Sequence, residues 1–174
     1  GGRTTEGVLR QFMADPLFPV PVDIFGAEVS YHDFRAGDTL MPAAGVTLRT
    51  TMLNHPQNAT GYRIEFGGKS ICYVTDTEHF ADGPDQNILG LIGGADIVIY
   101  DSMFTDSEYP AYRDWGHSTW EEGARLCAEA NAGTFVVFHH LPERTDAELD
   151  GIAAAVDNMR PGSLVAREGM TLRP

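Results

Sequence analysis

Three β-type stretches of this chain each run straight into a side chain able to bind a cation. TLRTTMLN leads to His55, SICYVT to Asp76 and TFVVF to His139. Strands of one sheet present their ends along a common edge, so residues far apart in sequence meet there. The three ends come together only if all three strands share a sheet. Two imidazoles and a carboxylate gathered at such an edge suit a divalent transition ion such as zinc or manganese.

The order of patterns along the chain points to a mixed sheet. Residues 5–14 place Val8, Leu9, Phe12 and Met13 on one helical face. Residues 14–26, with three prolines and several large apolar groups, cannot form a regular helix or a central strand. They are expected to be an ordered insertion or lid, with Phe18, Pro19 and Phe25 at a substrate entrance. AEVSYHDF, from Ala27, alternates as a strand does; a turn follows at 36–38, and VTLRTTML alternates again. TGYRIEF and SICYVTD flank Gly67–Gly68–Lys69, a hairpin signal. ADIVIYD (95–101) and TFVVFHH (134–140) are continuous apolar runs, as strands covered on both faces show. Capping-box patterns at Ser118/Glu121 and Thr145/Glu148 introduce two helices. VAREGMTL reads as a closing hairpin around Glu168–Gly169. A block of strands followed by strand–helix alternation predicts a mixed sheet with helices on its outer face.

Composition narrows the function classes. A chain of 174 residues can build one sizeable domain with its own core. Its 12 basic and 25 acidic residues give a net charge of −13, which argues against a long polynucleotide partner. No apolar run approaches the ~20 residues of a membrane span, and GGRTTEGVLRQF lacks the pattern of a signal peptide. Gly1 in place of Met points to processing or to a piece of a longer chain. Cys72 lies in an apolar strand and Cys127 in a helix pattern, without the spacing of a thiolate zinc site. Both read as inert buried thiols of a reducing compartment, the cytoplasm.

Further polar residues stand where the strands end. Asp101, in VIYDSMF, terminates an apolar run, and His117, in WGHSTWEE, sits just before a helix cap. His139 and His140 are adjacent, and neighbours on a strand point to opposite faces, so one of the two reaches a common site. His32 reads as a strand surface residue and His79, beside Glu78, as an outer neighbour of the site. His55, Asp76, Asp101, His117 and His139 form a coherent chemical set. A carboxylate can bridge two ions, an imidazole on each fixes its position, and an uncoordinated histidine can move a proton.

LNHP with GYR behind it, VTDTE, YDS, GHSTWEE and FHHLPERTDAELD resemble the downstream motifs of metallo-β-lactamase-fold hydrolases. The nearest branch is the phosphodiesterase-like one, with the tRNA 3′-processing endonuclease and the cyclic-phosphate phosphodiesterase of phosphonate catabolism. The resemblance covers residues 45–150. It implies an α+β fold, the αββα metallo-β-lactamase sandwich, with residues 1–174 as the carboxy-terminal part of a single metallo-hydrolase domain. It implies that His55 completes a first metal site and that Asp76 bridges two metals. His139 would lie on the second metal, with His140 as its substitute. His117 matches the histidine of the HST motif, which assists at the scissile phosphate, and Asp101 an acidic position that supports it.

The implied cofactors are two divalent ions, zinc or manganese, or iron. The implied activity is that of a phosphodiesterase on a small or cyclic phosphodiester, with a hydroxide between the ions attacking phosphorus. The family's H-x-H-x-D-H motif is absent from the chain. The expected partner is therefore the amino-terminal half of the same domain. Three ligands shared between two positions cannot close both, so the chain alone is expected to be inactive. A lactonase or thioester hydrolase on the same fold is the first rival reading, and a catalytically inactive scaffold module the second. The sequence leaves oligomeric state open.

Overall fold

Neighbouring strands in sequence are neighbours in space throughout this sheet. In the computed structural model, which describes residues 4–174, β1 (Thr39–Ala43), β2 (Val46–Leu53), β3 (Ala59–Phe66) and β4 (Lys69–Val74) form an antiparallel meander. β5 (Ile97–Asp101), β6 (Thr134–Phe138) and β7 (Leu164–Val165) extend it as parallel strands, for seven in all in the order β1 to β7. The β3–β4 hairpin turns at Gly67 and Gly68, with φ of 60° and 78°. Positive φ at both central residues is what a tight hairpin turn needs, and glycine adopts it without strain.

Period-two alternation sorts the sheet into two faces. Cys72 and Val74, Val98 and Tyr100, and Phe135 and Val137 point to one face and are sealed from solvent. Three helices complete that core: α2 (Gln86–Ile92), α3 (Trp120–Glu129) and α4 (Asp146–Met159). Ile88, Ile92, Leu126, Ile152 and Val156 supply the helical side. Among the described residues of 36–174, no helix packs on the opposite face. Its central part, with Ile71, Tyr73, Ile99 and Phe138, shares a hollow of about 310 Å³ with Met170 and Leu172 of the chain end. Ile64 and Phe66 on β3 stay 40% and 63% exposed.

Local chemistry explains where elements begin. α4 opens with the capping box of Thr145 and Glu148, as the sequence predicts. α3 opens one residue later than its pattern suggests, with Thr119 accepting from the Glu122 amide at 3.1 Å. Ser118 is unsuited to cap because its hydroxyl is engaged in the core by Tyr100 (3.0 Å) and His79 (2.9 Å). Residues 27–34 form no strand, joining no ladder among the described residues, and Asp33 instead accepts from the Thr5 amide and hydroxyl at 2.7 and 2.8 Å. No hairpin closes the chain either, since no strand follows the turn at Gly169. β1 and α2 were not anticipated. β1 carries Pro42, which an edge strand tolerates.

Among the described residues, 4–35 and 36–174 are separate compact units. In the first, α1 (Thr5–Phe12) is capped by Thr4, and Arg10 pairs with Glu6 and Asp23 at 2.9 Å. Its segment 14–26 holds a short 3₁₀ turn at Val22–Ile24. Among the described residues no helix is long and apolar enough to cross a membrane.

Candidate metal centre

The parallel register sets the site. Val74 on β4 lies opposite Tyr100 on β5, and Asp101 on β5 opposite Phe138 on β6. Asp76, Asp101 and His139 therefore emerge at the same carboxyl edge, where open α/β sheets bind ligands. Asp76 and His139 both take left-handed backbone conformations, with φ of 61° and 60°. Such φ values are uncommon for histidine and carry strain that surrounding structure must hold.

Asp76, Asp101, His117 and His139 each offer one ligand atom, all within 4.8 Å of one another. His139 Nε2 lies 3.8 Å from Asp76 Oδ1. Two donors on one tetrahedral zinc sit ~3.3 Å apart, given bonds near 2.0–2.1 Å, so a small adjustment lets both reach one cation. The donor set of imidazole and carboxylate fits zinc or manganese.

Asp101 organises the centre from below. It is fully buried, and its Oδ2 accepts from His117 Nδ1 (2.9 Å), the Asp76 amide (3.0 Å) and the Thr77 amide (3.2 Å). One carboxylate thus fixes both a histidine ring and the turn that carries Asp76. The hydrogen bond to Asp101 raises the His117 pKa, outweighing the burial that lowers it. The His117 and His139 rings lie 4.8 Å apart, centroid to centroid.

The remaining histidines divide by place. His55 follows β2 and stands outside the four-residue set, its ring centroid 6.1 Å from that of His117. Gly116 packs against it: a Cβ there would come within 2.4 Å of His55 Cδ2. His140 turns away, its Nε2 3.1 Å from the Ala166 carbonyl oxygen. His79 bonds Ser118 and stacks 4.1 Å from Tyr109, and burial lowers its pKa.

Sequence reasoning missed Glu78. Its Oε1 accepts from the Tyr109 hydroxyl (2.6 Å) and the Asp114 amide (2.9 Å), and its Oε2 from the Gly116 amide (2.9 Å). Its own amide donates to the Asn54 carbonyl at 2.8 Å, and Asn54 Nδ2 returns a bond to the Glu78 carbonyl at 2.9 Å. One residue therefore staples together the loops carrying His55, Asp76 and His117. Burial pushes the Glu78 carboxyl up, but the donors together outweigh it and hold the group below the usual carboxylate range. The one trace in the sequence is an acid two positions after Asp76, in VTDTE.

Residues 5–140 match the family described as Beta-lactamase superfamily domain. The chain belongs to this family. Over 111 residues, 64% of its length, this β-lactamase-superfamily chain is 32% identical to a ribonuclease Z of Bradyrhizobium sp. (strain ORS 278), of which it covers 35%. It spans about a third of the length of the curated relatives it matches. The metallo-β-lactamase fold protein YhfI from Bacillus subtilis aligns with 79% of this chain and 52% of its own, with a TM-score of 0.66 at 20% identity. Zn(2+)-bound PqqB from Methylobacterium extorquens aligns with 98% and 64%, also with a TM-score of 0.66 at 20% identity. These likenesses establish the metallo-β-lactamase fold for the superfamily chain.

Proposed function

We propose that this chain is part of a metal-dependent phosphodiesterase acting on a small or cyclic phosphodiester. The observation that carries the reading is the convergence of Asp76, Asp101, His117 and His139 within 4.8 Å at one sheet edge. The likeness to ribonuclease Z supports phosphodiester chemistry over lactone or thioester hydrolysis.

Asp76 and His139 are the residues that would hold a divalent cation, with His55 on the neighbouring loop as a further ligand. When bound, such a cation lowers the pKa of water and offsets the charge that grows on phosphoryl oxygens. His117 donates its Nδ1 proton to Asp101, which orients the ring and favours its protonated form. Its second ring nitrogen then supplies a proton to the leaving oxygen, help worth ~10²–10⁴ in rate. The exposed Ile64 and Phe66 of β3 support a further partner, the amino-terminal half of the same domain, which would add the missing ligands. On this reading the chain alone holds metal weakly and does not turn over.

The test has two parts. Zinc and manganese content is measured for wild type, Asp76→Asn, His139→Ala and His117→Ala. Bis(p-nitrophenyl) phosphate, a 2′,3′-cyclic nucleotide and γ-butyrolactone are assayed with this chain and with the full-length product of its gene. The expected result is phosphodiester turnover by the full-length product, loss of metal in the first two variants, and a roughly 100-fold fall in kcat for His117→Ala with metal retained. Loss of metal from His117→Ala, or turnover of the lactone alone, overturns the assignment.

A further inference from the structure

A groove opens beside the candidate centre, and Phe80 and Arg113 in its wall are used by none of the roles assigned above. It encloses about 520 Å³ and runs from His55 and Asn54 past Phe80 to Tyr109 and Arg113. A second hollow, of about 530 Å³, continues beyond Phe80 and Arg113, which line both. Each is within the range of small-molecule sites. The near end meets the centre through His55, whose ring lies 6.1 Å from that of His117.

The far wall holds a free cation. In a chain of net charge −13, basic groups are mostly consumed by acids. Arg63, Lys69, Arg125 and Arg144 each hold a carboxylate at 2.8 Å. Arg113 makes no ion pair among the described residues; its one charge-related contact is with the Tyr109 ring, 6.0 Å from guanidinium carbon to centroid. Tyr109 is itself immobilised, with its hydroxyl on Glu78 and its ring against His79. Of the acids lining the two hollows, Glu78 is occupied by Tyr109 and two amides, and Asp106 and Glu122 by Arg125, while Asp114 and Glu129 make no ion pair among the described residues. An anion entering this acidic surface is therefore drawn to Arg113. Phe80, 46% exposed, lines both hollows together with Arg113 and is an aromatic surface open to solvent.

We propose that this groove is the subsite for the part of the substrate beyond the scissile bond, taking a phosphate on Arg113 and a planar base on Phe80. The substrate class that fits is a nucleotide carrying a second phosphate in addition to the diester being cut. Arginine suits the task because its planar fork grips phosphate through two parallel bonds, and aromatic rings bind bases of any identity by stacking. The proposal rests on the phosphodiesterase reading for its location, but the subsite binds without metal.

Binding of adenosine 5′-monophosphate, adenosine and inorganic phosphate to the chain is measured by NMR titration in EDTA. The variants are Arg113→Ala, Arg113→Lys and Phe80→Ala; both positions are surface-exposed, so the fold is retained. The expected result is that Arg113→Ala weakens the monophosphate and phosphate about 10-fold or more while adenosine is unchanged. Arg113→Lys restores part of that loss. Phe80→Ala weakens the monophosphate and adenosine but not phosphate. Equal affinity of wild type and Arg113→Ala for the monophosphate overturns the inference. Metal-dependent diester hydrolysis by the full-length product, measured in parallel, keeps the two readings apart: hydrolysis with no Arg113 effect on binding sinks the subsite alone, and Arg113-dependent binding with no hydrolysis by the full-length product sinks the phosphodiesterase reading.

Discussion

Glu78→Gln isolates the staple that joins the three site loops. Glutamine keeps the shape of glutamate but replaces one acceptor oxygen by a donor. If the amide oxygen takes the place of Oε1, it keeps the Tyr109 hydroxyl and the Asp114 amide, and the new NH₂ faces the Gly116 amide, donor to donor. In the opposite flip Gly116 is kept and Tyr109 can reverse to accept, but the Asp114 amide is stranded. Either arrangement leaves one backbone N–H without a partner in a region where Glu78 is only 8% exposed. An orphaned donor costs about 1–3 kcal/mol. For a chain of this size, 2 kcal/mol corresponds to a Tm lowered by about 4–8 °C. Urea unfolding followed by tryptophan fluorescence reads the change directly, since Trp115 and Trp120 flank His117. The midpoint should fall with no change of slope, and hydrogen exchange at the Gly116 or Asp114 amide should accelerate. A shift no larger than that of Glu143→Gln, at an exposed position, would refute the staple.

Three other outcomes follow from the geometry. Gly116→Ala forces a side chain onto φ +85° and into the His55 ring; it should cost about 1–3 kcal/mol and move the His55 imidazole resonances, and unchanged resonances would contradict the packing. Burial pushes the Cys72 thiol up to about 11 and the Cys127 thiol up to about 12; a colourimetric thiol reagent at pH 8 should label neither until denaturant is added, and fast labelling of the native chain would be inconsistent with that burial. The Asp96 carboxyl is held down to about 2, first by Lys69 and then by the Ser70 amide. Its contribution to stability is present above the ordinary carboxylate pKa and lost as pH falls through about 2, so urea midpoints of wild type and Asp96→Asn should differ at pH 6 and converge near pH 2.

What could be read in advance depended on how local the physics was. β5 and β6 were legible because a buried parallel strand needs an unbroken apolar run, and IVIYD and TFVVF supply it. The polar residues that end or follow those runs were legible for the same reason. α2 was not, because QNILGLI is seven residues long with a glycine inside, and an apolar segment that short has no decisive period. Residues 27–34 alternate convincingly, yet a strand exists only within a hydrogen-bonded ladder, and among the described residues they join none. Glu78 was out of reach because two of its acceptor bonds go to backbone amides 36 and 38 positions away, which leave no mark on composition. The left-handed turns at Asp76 and His139 were equally silent, since nothing in VTD or VFH demands a positive φ.

Because each strand pairs with the one synthesised just before it, the sheet can be laid down progressively during translation, with no early segment waiting for a late one. His139, however, is placed only once β6 has docked on β5. The cluster of Asp76, Asp101, His117 and His139 is then complete only late in synthesis, and ribosome-stalled intermediates ending before Thr134 should fold their meander without it.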